Sequence, residues 1–210
     1  MWSFGRSGLV ETAKDHLFAA HQSTFVDDGS VLLRGRTDRS NTRDACVHLL
    51  TASGAAGAVV FVTADPTEQL AAWRERLEGS PARISIVTPA EDPLSDVEWL
   101  TPAEAEVVPV TDASDLKALG TTIADSIDPS RTPAGGVTVC CDILGELIRR
   151  FELQTVFRFL HLLAGRIRRA GALAHFHFEA GNYPDAVANM ITPAFERTLA
   201  VEDGVFTDER

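Results

Sequence analysis

Short apolar runs with little internal alternation recur along the chain, separated by segments whose apolar positions return every three or four residues. Ser30 to Arg34 (S-V-L-L-R), bounded by Asp27-Asp28-Gly29 and Gly35, reads as a buried strand. Thr42 to Ala52 follows with Ala45, Cys46, Leu49 and Leu50 on one helical stripe and ends near Ser53-Gly54. Ala58 to Thr63 (A-V-V-F-V-T) has no polar alternation, which is the pattern of a parallel strand buried on both faces. Pro66 opens a predicted helix through Leu77, and Arg83 to Val87 is a third strand. Thr88 to Glu106 is an acidic, proline-interrupted excursion. Val107 to Val110 is predicted as a strand and Ala113 to Ile127 as a helix capped by Asp112 or Ser114. After a loop from Asp128 to Gly136 come the strand Val137 to Cys141, helices Ile143 to Phe151 and Leu153 to Ala170, the strand Leu173 to Phe178, and a helix from Pro184 to Ile191. Phe195 to Val201 and Gly204 to Thr207 predict a terminal antiparallel hairpin about Glu202-Asp203-Gly204. Strands alternating with helices imply an α/β fold, a doubly wound and mostly parallel sheet with helices on both faces.

The chain has 210 residues and a net charge of −11, enough for one domain with a substantial core. Residues 1–29, with an amphipathic helix over Glu11 to His21, form a lead-in, and 30–210 form the domain. Phosphate-backbone binding needs clustered Lys and Arg, so the acidic balance argues against nucleic acid as a partner. No apolar run is long enough for a membrane-spanning helix, and Met1 to Gly8 lacks the basic start and apolar stretch of a secretion signal. A cytoplasmic protein is expected. Among the basic residues only Lys14 and Lys117 are lysines, a halophile-like signature that a GC-rich genome favouring arginine codons also produces. Cys46, Cys140 and Cys141 give no disulfide framework, and the adjacent pair reads as small filler of a sheet buried on both sides.

Ligands of such sheets bind beyond the carboxyl ends of the strands. After the first strand stands Gly35-Arg36-Thr37-Asp38-Arg39-Ser40-Asn41-Thr42, to be compared with the phosphate-loop pattern G-x-x-x-x-G-K-S/T. Gly35 and Thr42 fall in register, but Ser40 replaces the second glycine and Asn41 the lysine. A Cβ at Ser40 obstructs close approach to phosphate, and Asn41 brings no charge. Arg36 and Arg39 offer guanidinium groups in partial compensation, and Asp38 adds an anion. The plain alternative for the octet is an ordinary polar connection. Asp142, ending an apolar strand, occupies the place of an acid that orders Mg²⁺, or else caps the next helix. Glu68 stands where a water-activating carboxylate is sought, or is a solvated helix residue.

The series V-L-L-R-G…N-T, A-V-V-F-V-T, V-C-C-D, E-L-Q-T-V-F-R-F-L-H-L-L and L-A-H-F-H-F resembles a RecA/KaiC-type domain from Leu32 to about Thr207. More narrowly, it resembles the small KaiC-like, or HTR-like, proteins of halophilic archaea. The resemblance implies a RecA-like P-loop fold. It implies ATP at Gly35, Arg36, Arg39, Ser40, Asn41 and Thr42, and Mg²⁺ near Thr42 and Asp142. No catalytic lysine maps onto the chain, because Asn41 occupies its place. The expectation is a degenerate, non-catalytic regulatory or signalling domain working through a protein partner or self-association. One alternative is a weak Mg²⁺-dependent ATPase using Arg36 or Arg39. Another is an oligomeric assembly subunit.

His175 and His177 alternate on one strand and share a face, offering two metal ligands with Glu179 nearby, although no third is evident in the sequence. Val156, Phe157, Phe159, Leu160, Leu162 and Leu163 predict a core-facing helix. Arg149, Arg150, Arg158, Arg166, Arg168 and Arg169 form the one basic cluster. It is suited to an acidic partner, to the acidic stretch from Glu91 to Glu106, or to internal salt bridges on a solvated face.

Overall fold

The computed structural model describes residues 29–35, 40–51, 57–67, 70–71, 83–89, 105–110, 115–131, 135–202 and 205–209. The predicted N-terminal helix, Glu68, and most of the acidic excursion lie outside them. Eight strands form one sheet: β1 (Gly29–Arg34), β2 (Ala58–Val62), β3 (Arg83–Thr88), β4 (Ala105–Pro109), β5 (Val137–Cys141), β6 (Leu173–Phe178), β7 (Arg197–Glu202) and β8 (Val205–Glu209). Their order is β4-β3-β2-β5-β6-β1-β7-β8. All neighbours from β4 to β7 run parallel, β7 lying parallel to β1, and β8 is antiparallel to β7 at the edge.

The lack of alternation in these strands reflects burial on both faces. Leu32, Val60, Val62, Val139 and Cys141 enter one core, packed against helices α2 (Leu116–Ser126), α3 (Leu144–Arg150), α4 (Leu153–Arg169) and α5 (Asp185–Ile191). Val31, Leu33, Val59, Phe61 and Cys140 enter the other, beneath α1 (Ser40–Thr51) and Leu70. Each such side chain contributes about 1.5–3 kcal/mol on burial, so both faces stabilise the sheet.

Three predicted details are corrected. The fourth strand begins at Ala105, two residues before Val107, because Glu106 faces outward at the edge and pairs with Arg83 at 2.6 Å. The helix that follows is α2, capped not by Asp112 or Ser114 but by Asp115, whose carboxylate accepts from the backbone N–H groups of Lys117 and Ala118 at 2.9 and 3.0 Å. On α4 the buried stripe is Val156, Leu160, Leu163, Ala164 and Ile167, whereas Leu162 is 68% exposed. Its angular position falls on the far side of the helix from Leu160, which local composition does not reveal.

Candidate functional site

Connections leave neighbouring strands on opposite faces at β2 and β5, and a crevice opens there beyond their carboxyl ends. Its room for solvent is about 220 Å³, and its lining includes Thr63 and Asp65 after β2, Asp142 after β5, Glu179 after β6, and Glu146, Arg149 and Tyr183. The Thr63 hydroxyl accepts from the Asp65 N–H at 3.1 Å and shapes the turn. Asp142 is held by its backbone N–H, which donates to the Val62 carbonyl at 2.8 Å. The cap position of α3 is Ile143, and no side chain bonds there. Glu146 pairs with Arg149 and Arg150, and Glu179 accepts from the Asn182 amide at 2.6 Å. The cleft is rich in oxygen donors, which suit a hard cation.

β1, which leads into Gly35, is separated from β5 by β6 alone. Gly35 stands against Thr42: a Cβ built on Gly35 would lie 2.7 Å from the Thr42 hydroxyl oxygen and 3.3 Å from Val201. That oxygen is buried and has no hydrogen-bond partner among the described residues. Ser40 and Asn41 are in the first turn of α1, and Arg36 and Arg39 lie outside the described residues. Asp142 lines the cleft and Thr42 does not, and the position expected to carry a phosphate-binding charge is filled by neutral Asn41.

A second constellation lies inside the sheet. The β5–β6 register sets Cys140 beside His175, and alternation puts His177 on the same face, meeting Cys46 from α1. Sequence reading missed Cys46, a small residue on an apolar helical stripe whose neighbours are fixed only by long-range register. It also paired the histidines with Glu179, which is not one of the four. The sulfurs of Cys46 and Cys140 are 3.6 Å apart, His175 Nε2 is 3.1 Å from Cys46 Sγ, and His177 Nε2 is 3.4 Å from Cys140 Sγ. All four residues are buried. The neighbouring Cys140 thiol, with help from the two imidazoles, holds Cys46 well below the usual thiol range against its burial. Desolvation pushes Cys140 up, and Cys46 adds to this. Burial works against charging His177, but the Cys46 sulfur outweighs it and raises that imidazole. Cys141, on the opposite face, is a plain filler whose thiol burial pushes up to about 12.

The basic cluster is partly tied down. Arg149 and Arg150 pair with Glu146, Arg168 lies 3.3 Å from Glu196, and Arg166 donates to the Gly120 carbonyl. Glu106, at the end of the acidic excursion, is 2.6 Å from Arg83 and 3.6 Å from Arg131. Among the described residues no helix is long and apolar enough to cross a membrane.

Fold and cleft together define an α/β protein with a crevice at the switch between oppositely directed strand connections. The chain belongs to the family of unknown function DUF7504, which it matches over residues 29–201. It is similar in fold to a solved protein from Pyrococcus horikoshii OT3, described there as a structural study. The TM-score is 0.57 at 6% identity, over 92% of this chain and 91% of that one. No curated protein matches the sequence significantly.

Proposed function

We propose that this protein is a degenerate RecA/KaiC-like domain that has lost ATP turnover and acts in regulation or signalling through protein contacts. The observation that carries the reading is the divided fate of the first loop. Gly35 leaves room beside Thr42 that a side chain would fill and Asp142 follows the end of β5, while the position that should carry a lysine is Asn41. Without that cation the β and γ phosphates lose their main counter-charge, and no hydrolytic step follows from the residues present. Contact function is supported by the outer side of α4, where the exposed Arg158, Arg166 and Arg169 make a basic strip on an otherwise acidic chain, suited to an acidic partner.

The test is calorimetric titration of Mg²⁺-ATP in molar KCl, together with a phosphate-release assay, on the wild type and Asp142→Ala. The proposal expects no turnover above background in either protein. Hydrolysis by the wild type that Asp142→Ala abolishes would sink it, and Arg36→Ala and Arg39→Ala would then ask whether a guanidinium has replaced the lysine.

A further inference from the structure

We propose that Cys46, Cys140, His175 and His177 form a closed tetrahedral site for a divalent cation of the zinc class, holding α1 to the sheet. Two strands and one helix bring the donors together. The β5–β6 register puts Cys140 at the level of His175, the two-residue repeat of a strand brings His177 to the same face, and α1 crosses that face with Cys46 pointing in. The four donor atoms lie within 4.8 Å of one another.

Three of the six edges between the donors are close to those of a coordination tetrahedron. Zinc bonds of about 2.3 Å to sulfur and about 2.0–2.1 Å to nitrogen imply edges of roughly 3.8 Å between sulfurs and roughly 3.5 Å between sulfur and nitrogen. The observed 3.6 Å between the sulfurs, and 3.1 and 3.4 Å between sulfur and Nε2, come within about half an ångström of those edges. Two thiols and two imidazoles select zinc-like ions over Mg²⁺ or Ca²⁺, which prefer oxygen. Binding releases the two thiol protons, and two thiolates with a dication and two neutral imidazoles sum to zero charge, so the interior gains no net charge. Four protein ligands leave no position for substrate, which makes the site structural.

Packing alone accounts poorly for the same residues. Two imidazoles are buried on the face that carries Leu33, Phe61 and Leu199, and the Nδ1 atoms of both have no partner among the described residues. Burying an imidazole is costly unless strong bonds compensate, and a metal bond at Nε2 would offset that cost at the nitrogen that faces the sulfurs. Cys46 follows Thr42 by one helical turn, so the ion would fix α1 directly below the Gly35 loop. The proposal does not depend on nucleotide binding.

The test uses the full chain, purified under reducing conditions and stripped of metal, and titrated with Zn²⁺ and with Co²⁺ as a spectroscopic substitute. Expected are one equivalent bound per chain, the visible bands of tetrahedral cobalt with a thiolate charge-transfer band, and a higher unfolding temperature with Zn²⁺. Cys46→Ala and His175→Asn should each weaken Zn²⁺ binding by about a hundredfold or more, whereas Cys141→Ala should leave it unchanged. Should the ligand variants fail to fold, the wild-type titration decides. Absence of stoichiometric binding to folded wild type overturns the site. So does equal loss in Cys141→Ala, or a single free thiol in unreduced, denatured protein, which would mean a Cys46–Cys140 disulfide instead.

Discussion

Thr42 supplies a test in which removing a polar group raises stability. Its hydroxyl oxygen is buried and has no partner among the described residues, and the residue is 1% exposed. A buried hydroxyl without a hydrogen bond costs on the order of 1–3 kcal/mol, and replacing it with a methyl group of similar size removes that cost. Thr42→Val is therefore expected to stabilise the free protein by about 1 kcal/mol, the lower end being chosen because the methyl group crowds Gly35 slightly. For a chain of this length that raises the unfolding midpoint by about 2–4 °C. Thr42→Ser keeps the hydroxyl and removes a buried methyl, so it should cost about 1 kcal/mol. Urea unfolding of the three proteins at fixed salt gives the order, with valine most stable and serine least. If valine proves less stable than threonine, the hydroxyl is satisfied in solution and its availability to a bound cation is refuted.

Asp115→Ala should cost about 1 kcal/mol by denaturant unfolding, since two N–H groups at the start of α2 lose their acceptor. Thr138→Val removes the 2.8 Å donation to the Leu50 carbonyl at the end of α1 and should cost about 1–3 kcal/mol; a neutral result would mean that this carbonyl finds another donor. Gly29→Ala should lower the midpoint: its φ of +113° disfavours any side chain, and a Cβ would fall 1.9 Å from the Glu196 carboxylate, which would swing aside and give up its bond from the Ser30 N–H. Cys141 is protonated in both states below the ordinary thiol pKa of 9.0, and only the unfolded chain ionises between there and about 12. Its share of stability is therefore complete below pH 9.0 and lost as pH rises toward about 12, by up to about 1.4 kcal/mol per unit. Cys141→Ala should flatten that part of the profile, and an unchanged slope would show the thiol to be less buried than described.

The sheet was legible because its strands announce themselves: A-V-V-F-V has no polar position to place on a wet face, and β2 is indeed buried along its whole length. At the edge the signal fails. β4 begins with Ala105-Glu106, whose outward carboxylate pairs with Arg83 on β3, and only the neighbouring strand makes that segment extended. The cap of α2 was missed for a different reason, since Asp112, Ser114 and Asp115 are all competent and the choice depends on where the backbone turns. The strand-end position of Asp142 followed from local pattern. Cys46 did not, because a cysteine on a helical stripe is chemically silent until the sheet register brings Cys140, His175 and His177 beneath it. The histidines themselves were visible as a shared face in L-A-H-F-H-F.

The position of β1 also governs the order in which the protein can be made. This strand, the earliest of those described, is paired on one side with β6 and on the other with β7, near the opposite end of the chain. While the ribosome is still extending the polypeptide, β2, β3 and β4 can pair among themselves as they emerge, but β1 has no strand to join until Leu173 to Phe178 has been synthesised. The loop that follows it is thus completed among the last parts of the molecule, after long-range closures that are slow by nature. Until then a strand whose central Val31, Leu32 and Leu33 are all buried in the finished fold waits with both edges open, a hazard for aggregation that nascent-chain handling has to cover.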